Sequence, residues 1–273
     1  MSYEPRAASY KPKETLRSGQ LKCFAIVCFA RSRLEARSRF MKRPFPILAV
    51  ITGILLGYAM YMALVGAPTE QTMGDVQRIF YYHVPSAWTA FLLFFINLGA
   101  SVYYLIKRSV AADIVTLVCA EVGVVFCTVV LITGPIWARP VWGIWWTWDM
   151  RLTSTLVLWL IYVSYLFLRR FSSSGQTPLL AAALAVLGAL CVPFVYFSIW
   201  FFRTQHPQPV MGGGGSIDPR MLHVLLLNWL AFSCFAFLVC WSRYRLEKLQ
   251  REVDQTHAMR SLLDEPARRT RSA

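Results

Sequence analysis

The chain has 273 residues, of which 56% are hydrophobic and 15% charged, with a mean hydropathy of +0.46. A water-soluble domain of this length does not need so much apolar surface. The net charge of +14 would suit nucleic acid, but residues 1–43 carry 11 Lys/Arg against 3 Asp/Glu and residues 242–273 carry 8 against 5. The excess sits in flanking tails, where it suits the anionic heads of a lipid bilayer, and no nucleic acid partner is expected.

Residues 1–40 are polar and basic, interrupted by LKCFAIVCFA, a patch too short to cross a bilayer. Residues 1–44 are expected to form a basic, disordered extension. The MKRPFPILAV that starts at Met41 would be a natural beginning for a membrane protein.

Six apolar runs follow, at 46–66, 86–106, 114–133, 152–168, 178–200 and 222–241. Crossing ~30 Å of hydrocarbon takes roughly 20 residues. The expected fold is all-α, a polytopic integral membrane protein with six transmembrane helices over residues 45–242 and a basic cytoplasmic tail at 243–273. With a cytoplasmic N-terminus, 14 Lys/Arg fall beside inner span ends and 5 beside outer ones (Arg78, Arg139, Arg151, Arg203 and Arg220). That bias orients both termini to the cytoplasm. The outer connections, 67–85, 134–151 and 201–221, are the long ones, and long connections are usually working parts. The run of four glycines from Gly212 reads as a hinge, since no Lys-Ser/Thr follows it to make a phosphate loop.

The second long connection holds WGIWWTWDMRLTS, from Trp142 to Ser154. Pro140 can open a helix. In such a helix Trp142, Trp145, Trp146 and Asp149 share one face, an aromatic shelf with a carboxylate at its edge. Five of the ten tryptophans fall between Trp137 and Trp148, which exceeds what an interfacial belt requires. His83, in RIFYYHVPSAW, and His206, in FFRTQHPQPV, flank this loop on the same outer side. Imidazole is a common axial ligand of heme iron, and an iron can take one on each face. A flat tetrapyrrole wants aromatic stacking for its ring, His for its iron and Arg for its propionates. The outer arginines Arg78, Arg139, Arg151 and Arg203 are available for the last, with Arg151 alternatively paired to Asp149. His223 reads as an interface residue, and His257 lies on the wrong side.

Glu121 is the clearest acid inside a span, with no cationic partner in any span, and an intramembrane acid is by default a functional hypothesis. The seven cysteines have no zinc spacing and no C-x-x-C-H heme attachment. Most lie in apolar runs and read as small buried hydrophobes.

WGIWWTWDMRLTS resembles the tryptophan-rich WWD signature of heme-handling membrane proteins that serve cytochrome c maturation. Its RLTS ending is similar to the heme exporter protein C family, whose larger relatives continue differently after the Asp and have many more spans. RIFYYHVPSAW, LITGPIWARPVWG and SIDPRM resemble that family too, so the likeness covers about residues 45–242. The resemblance implies that His83 and His206 are the paired axial ligands and that Trp142 through Asp149, Trp148 included, form the heme loop; Arg139 and Arg151 join the expected site on the charge argument above. It implies transient holding of heme b, iron protoporphyrin IX, at the periplasmic face of the bacterial inner membrane. It further implies delivery to a periplasmic heme chaperone, alongside the ATP-binding and permease subunits of an ABC transporter and a small single-span membrane subunit. A carrier of this kind has no enzymatic turnover of its own.

Two other classes compete. A b-type membrane cytochrome passing electrons to or from quinone would place His pairs inside the spans, where this sequence has none. A permease would want polar residues repeated along the spans, and Asn97, Glu121 and Asn228 are too few.

Overall fold

A computed structural model describes residues 44–172, 174–208 and 217–269. The expectations for residues 1–43 and for the glycine run at 212–215 lie outside the described residues. The chain separates into two compact units, Met1–Ile51 and Thr52–Ala273, and everything said below of packing and of the site concerns the second.

The elements in order are α1 (Pro44–Tyr61), a π-helical turn (Met62–Gly66), a 3₁₀ turn (Asp75–Ile79), α2 (Phe80–Lys107), α3 (Val110–Trp142), α4 (Met150–Phe171), α5 (Thr177–Phe201) and α6 (Pro219–Arg269). Six helices are long and apolar enough to cross a membrane, as expected, and the described residues contain no strand. Large apolar side chains such as Ile54, Ile106, Val125 and Leu190 are more than half exposed. A water-soluble protein would not spread so much apolar surface outward, whereas hydrocarbon demands it.

Sequence chemistry ends the helices where the chain must turn. α2 stops at Arg108, which takes a left-handed conformation with φ 53°. Ser109 then caps α3, Asp149 caps α4, and a proline sits in the first turn of α5. Each supplies what an open helix end lacks: an acceptor for a free N–H, or a residue that needs no N–H partner.

Helix α2 is the centre of the bundle, packing on α3, α5 and α6, while α4 packs mainly on α5. The core lies midway along it. Phe94 of α2 stacks on Tyr162 of α4 with centroids 3.9 Å apart. Beside this pair Asn97 donates to the Thr116 carbonyl at 2.6 Å, and the Tyr162 hydroxyl donates to the Ala185 carbonyl at 3.2 Å. Asn228 donates to the carbonyls of Val224 and Ala59. These polar groups join helices where no water can.

Three expectations need correction. The end of α3 is not a new helix opened by Pro140. α3 runs on through Pro135 and Pro140 to Trp142, and stops at Gly143 with φ 79°. Residues 143–149 are irregular, so Trp142, Trp145, Trp146 and Asp149 do not share a helical face. Glu121 is not alone, because Arg243 donates to both its oxygens at 2.8 Å. That partner escaped notice because α6 continues without a break past residue 241, where the apolar run ends, and carries Arg243 on its next turn. His83 does not precede the second span. The helix begins six residues before the expected start at 86, with His83 in its first turns.

The ends of the bundle differ in chemistry. At one end Asp113 holds Arg169 at 2.5 Å and Arg251 at 2.8 Å, and Arg251 also binds Glu247 at 2.8 Å. This network ties α3, α4 and α6 together. The opposite end carries both histidines of the expected pair and the tryptophan loop.

Candidate functional site

At that opposite end a cavity of about 920 Å³ opens among α2, α3, α5, α6 and the loops. This is the upper part of the range for small-molecule and cofactor sites. Its lining combines apolar side chains such as Ala90, Phe91, Cys127 and Val130 with several tryptophans.

His83 and His206 both line it, with ring centroids 6.5 Å apart and planes 34° from parallel. Two metal–imidazole bonds of roughly 2 Å, plus the ring radii, separate centroids by roughly 6 Å. The pair therefore has the separation that ligation of one metal from two sides requires.

The hydrogen bonds of the two rings fix which nitrogen is free. His83 Nδ1 lies 2.8 Å from the Thr133 hydroxyl. That hydroxyl donates its hydrogen to the Val129 carbonyl at 2.7 Å. It can then only accept, so His83 carries its proton on Nδ1. His206 Nδ1 lies 2.9 Å from the Pro207 carbonyl oxygen, which only accepts, so His206 carries its proton there as well. In both rings Nε2 keeps its lone pair. This is the usual way in which a metal-binding imidazole is held, with the other ring nitrogen donating to a protein oxygen. Burial, and next the Arg151 guanidinium, push the His206 imidazole down to about 4, so that it stays neutral near neutral pH.

The aromatic residues divide. Trp142 and Trp146 line the cavity, Trp142 meeting Trp137 edge-on at 5.3 Å. Trp145 and Trp148 do not line it and are 59% and 76% exposed. Trp88 and Trp229, on α2 and α6, meet edge-on at 5.4 Å in the cavity wall. The indole N–H groups of Trp146 and Trp229 are buried without a partner among the described residues.

The arginines divide too. Arg151 lines the cavity, and among the described residues its guanidinium donates only to the Tyr196 carbonyl, at 3.4 Å. It does not pair with Asp149. Arg78 is spent on the carbonyls of Ala63 and Ala67 and on Asp75. Arg139 donates to the Gly143 carbonyl that follows its own helix. Arg203 lines a separate small pocket of about 280 Å³ beside Asp149 and Thr204, which neither His83 nor His206 lines. Arg220 stands at the main cavity's edge but is paired with Asp218 at 3.1 Å.

Asp149 does not line the main cavity either. One of its oxygens accepts the Leu152 N–H at 2.9 Å, capping α4, and the other accepts the Thr204 hydroxyl at 2.7 Å. His223 is exposed and outside the cavity. Sequence reasoning missed Thr133, Thr204, Trp88 and Trp229. Thr204 carried a signal, a hydroxyl two residues before a loop histidine.

Residues 29–259 match the family described as Heme exporter protein C, wider at both ends than the 45–242 carrying the resemblance. The Heme exporter protein C of Bradyrhizobium diazoefficiens is 34% identical over 222 residues, covering 80% of this chain and 84% of that protein. A cytochrome c biosynthesis ccmC-like mitochondrial protein of Marchantia polymorpha is 32% identical, over 73% of this chain and 86% of its own length. The Heme exporter protein C of Haemophilus influenzae is 30% identical, over 80% and 90% respectively. With a paired-imidazole cavity on a six-span bundle and a family match over most of its length, the chain belongs to the heme exporter protein C family.

Proposed function

We propose that this protein holds heme b at the periplasmic face of a bacterial inner membrane and delivers it to a periplasmic heme chaperone during cytochrome c maturation. The observation that carries this reading is the pair of imidazoles, each with Nε2 free, at the mouth of an apolar, tryptophan-lined cavity. His83 and His206 would ligate the iron, Trp142 and Trp146 would bound the macrocycle, and Arg151 would neutralise a propionate. Both termini are cytoplasmic in this reading, with the basic α6 extension on the inner side. The chain has no nucleotide-binding motif, so ATP use belongs to the ATP-binding and permease subunits of an ABC transporter, with a small single-span subunit completing the assembly. The protein acts as a carrier, not as an enzyme.

A b-type cytochrome reading is weaker. The other two histidines, His223 and His257, are exposed, so no second buried histidine pair stands among the described residues for electrons to cross.

Absorbance spectroscopy of the purified protein tests the reading. A Soret band is expected, altered in His83→Ala and in His206→Ala and lost in the double variant. A double variant with the wild-type band and full occupancy would remove the ligand assignment. Reporter fusions at Thr69, Arg139 and Gln208 should read as outside, and those at Arg108 and Arg169 as inside.

A further inference from the structure

The two histidines are held by different means. His83 is built into a helix and backed by Thr133 of the neighbouring helix. His206 lies beyond the end of α5, in irregular backbone. Its own N–H donates to the Thr204 hydroxyl oxygen at 3.1 Å. That hydroxyl gives its hydrogen to Asp149 Oδ2 at 2.7 Å, and Asp149 Oδ1 accepts the Leu152 N–H at 2.9 Å. Thr147, inside the tryptophan loop, also reaches Asp149 Oδ2, at 3.4 Å. A continuous chain of hydrogen bonds thus runs from the cap of α4 and the tryptophan loop, through one carboxylate and one hydroxyl, to the backbone of His206.

We infer that Asp149 and Thr204 form a tether through which the tryptophan loop sets the position of His206. This rests on the reading of His206 as a heme ligand. The direction of each bond carries the inference. An ionised carboxylate only accepts, so Thr204 must donate to it, and the Thr204 oxygen is then turned toward the His206 N–H. Hydrogen bonds to a charged acceptor are about twice as strong as neutral ones. Otherwise the only hydrogen bonds joining residues 203–208 to another element would be those to solvent, among the contacts of the described residues. The tether makes the second axial bond conditional on the first loop. While Trp142 and Trp146 stay seated, His206 is held over the cavity. Thr204 is accordingly a positioning residue that acts through His206 and need not touch heme.

The test compares Thr204→Val with Thr204→Ser in the full chain, purified and loaded with heme, reading spin and coordination state by resonance Raman. Thr204→Val should keep heme but shift it from six-coordinate low spin toward five-coordinate high spin. Heme loss to apomyoglobin should rise about tenfold, the factor expected for one charge-assisted hydrogen bond. Thr204→Ser should match the wild type. Added imidazole should restore the low-spin spectrum of Thr204→Val, which shows that His83 and the cavity are intact. If Thr204→Val does not accumulate, Thr204→Ala is compared with Thr204→Ser in the same way. A wild-type spectrum and heme loss rate for Thr204→Val, where His206→Ala is altered, would overturn the tether alone. A His206→Ala variant identical to the wild type would overturn both the tether and the ligand reading beneath it.

Discussion

His83 and His206 face one cavity with ring centroids 6.5 Å apart, one from the first turns of a helix and the other from a loop. The helical partner is kept in register by a hydroxyl whose own hydrogen is already committed to Val129. Thr133→Val preserves shape but leaves the His83 Nδ1–H without an acceptor and frees the ring to change tautomer. Loss of such an outer partner typically costs 10–100-fold in metal affinity. We expect heme affinity to fall by about that range in Thr133→Val and to be retained in Thr133→Ser, as read by heme titration. Equal affinities would show that the Thr133 contact does not orient the ligand.

The loop histidine sets a pH limit. Iron competes with protons for Nε2, and only neutral imidazole ligates. Burial and Arg151 lower the His206 pKa to about 4, so the neutral form survives to acidity at which a free histidine, with a pKa near 6.5, is fully charged. The sign follows: ligation by His206 is present above this pKa and is lost only as pH falls below it. In His83→Ala, where His206 remains, the heme spectrum should hold constant from about pH 8 to about pH 5 and change only at or below about pH 4, since iron must be displaced by the proton. A transition near pH 6.5 would mean that His206 stands in water. The same depression favours opening of the loop as pH falls from about 6.5 toward 4, because the opened form takes up the proton first.

Gly123 tests the core apart from the site. A methyl there would stand 2.6 Å from Phe94 Cε1. Phe94 is fully buried and stacked on Tyr162, so its ring has nowhere to retreat. Overpacking of this kind costs about 1–3 kcal/mol. Gly123→Ala should lower the unfolding midpoint in detergent. At Gly134 the added methyl would meet His83 Cε1 at 3.5 Å, an ordinary contact, so Gly134→Ala should leave the midpoint unchanged. Equal midpoints for the two variants would contradict the packing described for Phe94.

Apolar run length made six spans legible, because hydrocarbon thickness constrains composition directly. It did not give the helix ends. α3 passes two prolines and α6 continues for a further 28 residues past 241, since helices end at caps, not where hydropathy falls. At the site, His83, His206, Trp142, Trp146 and Arg151 were legible from residue type and side of the membrane. Trp145 and Asp149 were placed on the same shelf as Trp142 and Trp146 by assuming helical spacing. Gly143, at φ 79°, breaks that spacing. Thr133 was not legible at all, and Thr204 only as a hydroxyl two residues before a loop histidine. Their roles depend on which hydroxyl hydrogen is already committed, and that is a property of three-dimensional neighbours.

Arg151 supplies the sharpest chemical test of the cavity's occupant. Its guanidinium lies in the cavity wall with one long contact to the Tyr196 carbonyl and, among the described residues, no ion pair, and Asp149 is taken by Leu152 and Thr204. A guanidinium in such a place calls for an anion, and it matches a carboxylate with two parallel donors. Heme has two propionates, whereas heme dimethyl ester has the same ring and iron with neither charge. Arg151→Gln should therefore weaken heme binding by about tenfold or more, in line with loss of a hydrogen bond to a charged group. It should leave binding of the dimethyl ester nearly unchanged. In the wild type the ester should bind more weakly than heme, by a factor that largely vanishes in Arg151→Gln. Titration of both ligands into both proteins closes the cycle. If Arg151→Gln weakens the ester as much as it weakens heme, Arg151 supports the cavity wall and the propionate assignment fails.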